Sequence, residues 1–71
     1  MTERVYTVID LVGTSDESWE RAAAVAIEKA SQTLRNIRVA RIVEQDIHLE
    51  PGKPLSYRVK LEVSFKYEGG E

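Results

Sequence analysis

The stretch LSYRVKLEVSFKY, residues 55–67, alternates apolar and polar residues without a break. A period of two residues predicts a β-strand with one apolar face and one charged face. The predicted apolar face carries Leu55, Tyr57, Val59, Leu61, Val63, Phe65 and Tyr67. EPGKP, residues 50–54, precedes this strand, and its Pro-Gly pair favours the central positions of a type II turn. We therefore predict that residues 37–49 form the other arm of a long β-hairpin.

The N-terminal half of the chain predicts a strand followed by a helix. RVYTVIDLV, residues 4–12, is rich in β-branched residues, which favour strands, and Gly13 is expected to end that strand. The following segment, residues 14–37, is predicted to be helical. Thr14 is the expected cap, and Glu17 lies three residues later, which is the spacing of a capping box.

The predicted helix has one apolar stripe made mostly of small residues. Its members recur at three- and four-residue steps: Trp19, Ala22, Ala23, Ala26, Ala30, Thr33, Leu34 and Ile37. Trp19 is interpreted as an anchor of the core or of an interface. The order β-α-β-β then predicts an α+β fold of one domain, residues 1–71, with a three-stranded antiparallel sheet wrapped around one helix. Because one helix covers only one face, the charged face must meet water, another subunit or a ligand held between subunits.

Length and composition favour a self-associating protein. A 71-residue chain buries only about 60% of the surface that it exposes when unfolded. Since the chain has no cysteine, partner subunits are the expected source of additional stability. The net charge of −2 argues against a nucleic-acid partner. No apolar run is long enough to span a membrane and no signal pattern is present, so we expect a soluble cytoplasmic protein.

The sequence offers no catalytic set. His48 is the only histidine, cysteine is absent, and Ser56 and Ser64 fall within a regular predicted strand. Nucleophilic catalysis needs a nucleophile and a base that are positioned together. We therefore predict that the protein is not an enzyme.

Acidic residues follow one another at two-residue spacing in the middle segment. Glu44, Asp46, His48 and Glu50 would share one strand face if the alternation holds. Carboxylate oxygens suit a hard cation such as calcium. The alternative is a solvated face on which the acids pair with Arg58 and Lys60 across the strands. Because a flat strand rarely brings six oxygens to one ion, a calcium site is expected to need several subunits.

Three segments of the chain resemble the dodecin family: VYTVIDLVGTSDESWERAA at residues 5–23, TLRNI at 33–37 and YRVKLEVSFKYEG at 57–69. The junction LVGTSDESW, residues 11–19, is the most specific part of the likeness. The resemblance implies a hollow homododecamer assembled from trimers. It also implies binding of flavins such as riboflavin or FMN between subunits, for storage or buffering, and coenzyme A is associated with some members.

The resemblance places a cofactor site around Val39, Arg58, Gln45 and Tyr57. Flavin-binding dodecins carry a stacking tryptophan where this chain has Val39, and a glutamine where it has Arg58. Valine offers no π face and arginine cannot accept a hydrogen bond, so we predict weak or absent flavin binding. Two alternatives are a working flavin store, with Tyr57 and Tyr67 supplying rings, and a structural shell with an empty site.

IRVARIVEQD, residues 37–46, resembles a calcium-associated subset of the dodecins. The likeness implies calcium binding without identifying the ligands. On chemistry alone, the candidate ligands are Glu44, Asp46, Glu50 and Asp10.

Overall fold

The computed structural model describes residues 4–66, which form three strands and one helix. The elements are β1 (Tyr6–Ser15), α1 (Trp19–Ser31), β2 (Ile37–His48) and β3 (Ser56–Lys66). The sheet order is β1-β3-β2, and both neighbouring pairs are antiparallel. The predicted β-α-β-β order and three-stranded antiparallel sheet are confirmed, whereas Tyr67 lies outside the described residues. Within residues 4–66 no helix is long and apolar enough to cross a membrane.

The core lies between the central strand and the helix. Val59, Leu61 and Val63 of β3 are fully buried, and they pack against Ala22 and Ala26 of α1. Burying each of the three β3 side chains stabilises the fold by about 1.5–3 kcal/mol. The alternation of β3 is thus confirmed, and its polar residues point away from the helix. We call the sheet face that is turned away from α1 the outer face.

The N-cap of the helix lies four residues after the predicted cap, Thr14. Ser18 is the N-cap, and its Oγ accepts a hydrogen bond from the Arg21 backbone N at 3.0 Å. The prediction of a capping box from Thr14 to Glu17 is wrong, because Thr14 continues β1 and lies opposite Arg58 of β3. Gly13 does not end the strand either. The sheet ladder extends β1 through both residues before the chain turns.

The helix also ends earlier than predicted. It stops at Ser31, and Ile37, which was assigned to the helical stripe, is the first residue of β2. Between them the chain reverses at Asn36, whose φ of 59° lies in the left-handed region. Its carbonyl oxygen accepts a hydrogen bond from the Lys66 backbone N at 3.4 Å, which ties this turn to β3.

The left-handed backbone at position 36 gives a stability prediction. Neither Asn36→Gly nor Asn36→Ala retains the side-chain amide, but only glycine adopts a positive φ without steric cost. The glycine variant is therefore expected to be more stable than the alanine variant by about 1–2 kcal/mol. Urea unfolding of both variants at equal protein concentration measures the difference. Equal midpoints would show that this turn relaxes to another conformation.

The hairpin between β2 and β3 turns where the Pro-Gly pair predicted. The Lys53 backbone N donates to the Glu50 carbonyl oxygen at 3.1 Å, and Gly52 between them has a φ of 77°. A positive φ at the third residue is the mark of a type II turn. The prediction for this turn is confirmed.

Strand β2 carries two extra residues relative to β3. Its register shifts between Ile37 and Val39 and again between Ile42 and Glu44. Each shift leaves one residue of β2, Arg38 or Val43, without a paired residue on β3, as in a β-bulge. Because side chains alternate along a strand, each extra residue reverses the faces of those that follow.

Candidate functional site

Charged and small residues cover the outer face in four rows that run from β1 through β3 to β2. The rows are Thr14, Arg58 and Asp46; Val12, Lys60 and Glu44; Asp10, Glu62 and Arg41; and Val8, Ser64 and Val39. Directly opposite residues on adjacent strands have side chains close enough to interact. All members of the first two rows except Thr14 line a shallow pocket on this face.

Arg58 and Asp46 form a two-point ion pair in the first row. Arg58 Nε donates to Asp46 Oδ1 at 2.7 Å, and Arg58 Nη2 donates to Asp46 Oδ2 at 2.9 Å. The predicted pairing of Asp46 with Arg58 is thereby confirmed, whereas the described residues show no ion pair between Glu44 and Lys60. The two side chains are 45% and 55% exposed, so the pair adds little to stability. Its main effect is to occupy both carboxylate oxygens.

The ion pair gives a titration prediction. Hydrogen bonds from Arg58 hold the pKa of the Asp46 carboxyl below its ordinary value of 3.8; partial desolvation opposes this shift, and charge attraction to Arg58 adds to it. A lowered folded-state pKa means that the pair contributes above the unfolded-state pKa and that this contribution is lost as pH falls through the folded-state pKa.

Carboxyl ¹³C NMR should therefore show Asp46 titrating below 3.8 in the wild type and close to 3.8 in Arg58→Gln. Arg41→Gln is the matched control, because it removes an equal charge from the same face but leaves Asp46 paired with Arg58. The assignment fails if both substitutions move the Asp46 pKa equally.

Trp19 anchors the helix to the strands beneath this ion pair. Its Nε1 donates to the Asp46 backbone oxygen at 3.0 Å. Its ring meets the edge of Tyr57 at a centroid distance of 5.3 Å and an interplanar angle of 76°. Trp19 is therefore an anchor within the chain, and its link to Asp46 had no signal in the sequence, because the residues are 27 positions apart.

The predicted cofactor residues do not meet within one chain. Val39, 59% exposed, and Arg58 lie on the outer face. Gln45 lies opposite the buried Val59, on the helix side, and Tyr57 shares that side. Strict alternation would place Val39 and Gln45 on one face, but the register shift after Ile42 separates them. Val39 and Arg58 share the outer face but lie three rows apart, so a site that used both would combine residues of different copies.

The candidate metal ligands are partly assembled. Glu44 and Asp46 are neighbours on the outer face, and Asp10, opposite Glu62, lies one row from Glu44 and two rows from Asp46. Glu50 lies in the hairpin turn, with Oε1 3.8 Å from Lys53 Nζ. Carboxylate oxygens are the kind of ligand that a hard cation such as calcium prefers. In the described part of one chain, however, no three His, Cys, Asp or Glu residues gather as metal ligands. A metal site built on these residues therefore needs further oxygen ligands, which another copy of the chain, backbone carbonyls or water can supply.

Known proteins match both the sequence and this fold. The dodecin family model matches residues 5–68. Calcium dodecin from Mycobacterium tuberculosis is 53% identical over 62 residues, which is 87% of each chain. Dodecin from Thermus thermophilus is 35% identical over 92% of this chain and 94% of its own.

Solved structures agree with these matches. A crystal structure of the M. tuberculosis calcium dodecin, described as a calcium-chelating antigen with a novel calcium-binding site, has a TM-score of 0.84 at 49% identity, over 94% of this chain and 96% of its own. Dodecin from Streptomyces coelicolor has a TM-score of 0.88 at 30% identity, over 99% and 100%. The family resemblance of the opening, helical and closing segments is confirmed, and this chain belongs to the dodecin family.

Proposed function

We propose that this protein is a non-enzymatic dodecin that assembles with copies of itself and binds calcium between subunits, with little or no affinity for flavin. The observation that carries the proposal is the outer face itself, which holds the ion pair of Arg58 and Asp46 in its first row and an exposed Val39 in its fourth. This face has acidic oxygens for a cation, and position 39, where the family resemblance places a stacking tryptophan, carries a valine. The relative that is 53% identical is itself a calcium dodecin.

The outer face opposes flavin binding in two ways. Val39 has no aromatic surface, so stacking worth about 1–3 kcal/mol per ring is absent. An isoalloxazine ring laid over this face would also desolvate the ion pair of Arg58 and Asp46. Removing a charged pair from water costs free energy that an apolar ring does not return.

The same face favours a cation once subunits meet. Glu44 and Asp46 present carboxylates side by side, and within residues 4–66 no ion pair engages Glu44. Calcium takes about six to eight oxygen ligands, more than one strand face supplies. A site shared between subunits meets this requirement. His48 is exposed on the same face, opposite Ser56.

Self-association is supported by apolar surface that one chain leaves uncovered. Exposed aliphatic residues lie on both sides of the sheet: Val8, Val12, Val39, Ile42 and Ile47. One helix cannot cover them all, since it packs chiefly on β1 and β3. We propose that copies cover them in a hollow homododecamer assembled from trimers, which acts as a cytoplasmic ion store or buffer.

Two titrations of the purified assembly test the proposal, after light scattering has established the particle mass. Calcium chloride is expected to raise the melting temperature and to release or absorb heat in calorimetry, with magnesium chloride as the comparison. FMN and riboflavin are expected to stay brightly fluorescent. Strong flavin quenching at low micromolar protein, or no response to calcium, would overturn the assignment.

A further inference from the structure

We propose that Arg58 is a built-in competitor of calcium: its guanidinium occupies Asp46 and must leave before that carboxylate binds a cation. This inference rests on the proposed calcium function and adds to it the residue that sets the affinity. Asp46 therefore exchanges between two states. In one state the carboxylate holds Arg58, and in the other it holds the metal.

The geometry of the pair makes Arg58 an effective competitor. Its Nε and Nη2 each take one oxygen of Asp46, at 2.7 and 2.9 Å. The guanidinium stays charged at any physiological pH, and its planar fork matches a carboxylate. The two residues lie directly opposite on β3 and β2. Because the ladder fixes their separation, the guanidinium competes at a high effective concentration.

The surroundings of the pair make the exchange reversible. The Arg58 side chain is 45% exposed, so it can turn into water without leaving a buried charge behind. Exposed ion pairs are also weak. Asp46 stays in place when Arg58 leaves, because Trp19 Nε1 holds its backbone oxygen at 3.0 Å from the helix side. The backbone of Asp46 is therefore held independently of Arg58, and its side chain remains on the outer face for a second cation.

A second ion pair on the same face provides a matched control. Arg41 Nη2 donates to Glu62 Oε1 at 2.6 Å, through one hydrogen bond rather than two. Glu62 lies two residues from Lys60 on β3 and opposite Asp10 on β1. Removing Arg41 changes the net charge of the face by the same amount as removing Arg58, but it leaves both oxygens of Asp46 occupied.

The test compares calcium binding by the full-length wild type, Arg58→Gln and Arg41→Gln, measured by calorimetry with calcium chloride. We expect Arg58→Gln to lower the Kd by roughly tenfold, since it frees the carboxylate and removes a positive charge from beside a divalent ion. Arg41→Gln is expected to change the Kd by less than about threefold, because its charge lies farther from Asp46 and is screened by solvent. Adding Asp46→Asn to Arg58→Gln should abolish the gain.

Trp19 provides a second readout. It is the only tryptophan in the chain, and its Nε1 donates a hydrogen bond to the Asp46 backbone oxygen. Calcium should therefore change its emission in the wild type and, at lower concentration, in Arg58→Gln. Arg58→Lys, which keeps the charge but lacks the fork, should have an intermediate Kd. It serves as the test variant if Arg58→Gln does not assemble.

Each outcome is decisive. Equal affinities of the wild type and the Arg58 variants would overturn the competition while leaving calcium binding intact. A tenfold gain in Arg41→Gln as well would reduce the effect to overall charge and overturn it too. If no variant binds calcium, the proposed function fails and the competition fails with it.

Discussion

Gly13→Ala is expected to prevent the chain from folding. A Cβ at position 13 would overlap the carbonyl oxygen of Ala22 and lie 2.9 Å from the Ala26 Cβ. Neither neighbour can yield, because one is helix backbone and the other belongs to the buried core. The strand cannot move away either, since Gly13 is paired with the fully buried Val59. The cost should exceed about 4 kcal/mol, which is a large share of a small domain's stability.

Far-ultraviolet circular dichroism and light scattering would show this loss as disordered, unassembled or aggregated chains. Gly52→Ala is the matched control. At Gly52 a Cβ meets nothing within 4 Å, but φ is positive, so the same substitution carries only backbone strain. It should cost about 1–2 kcal/mol and leave the fold intact. A folded Gly13→Ala protein of ordinary stability would mean that α1 sits farther from β1 than the structure shows.

The second large effect is a gain of function. Val39→Trp combined with Arg58→Gln is expected to create flavin binding in the assembled protein. The first change adds a stacking surface on the outer face, in the row where the small Ser64 lies between Val39 and Val8. The second removes the charged pair that a ring would have to desolvate. Stacking of about 1–3 kcal/mol per ring corresponds to roughly five- to 150-fold in affinity.

Quenching of FMN fluorescence on titration with protein measures the gain. Val39→Trp combined with Arg41→Gln is the matched control, because it adds the same ring and removes the same charge but retains Arg58. It should bind FMN more weakly than the first double variant. Absence of quenching in both variants would mean that Val39 does not lie at the flavin position of the family.

Strand β3 was predictable from sequence because its alternation is a property of the segment itself. Val59, Leu61 and Val63 fall on the buried face in any three-stranded arrangement that has one helix on top. The turn at Gly52 was predictable for the same reason, since a Pro-Gly pair sets its own backbone angles. In both cases the local sequence contains the whole physical cause.

The helix boundaries were less predictable because two local signals compete there. Thr14 and Ser18 both have side chains that can cap a helix, and the sequence does not rank them. The choice depends on β3, which pairs with Thr14 and keeps it in β1. At the other end, Ile37 fits the helical spacing, but it pairs with Phe65 of β3 and so belongs to β2. Tertiary pairing overrode local preference at both ends.

The site was predictable in its chemistry and only partly in its geometry. The charges of Arg58 and Asp46 on facing strands suggested their ion pair. The separation of Gln45 from Val39 could not be foreseen, because a register shift is set jointly by two strands. A single sequence with plain alternation gives no sign of where the extra residue falls.

The two unmatched residues of β2 bear on how the length of such chains can change. Deleting Arg38 or Val43 removes a residue that has no paired residue on β3. Every remaining residue of β2 then keeps its partner on β3 and its side of the sheet. Deleting Ala40 instead takes away the partner of Val63 and forces a slip of the strand. The strand thus has two places where one residue can be lost without moving Val39 or Asp46 to the other face, and losses elsewhere in the ladder would rearrange the outer face.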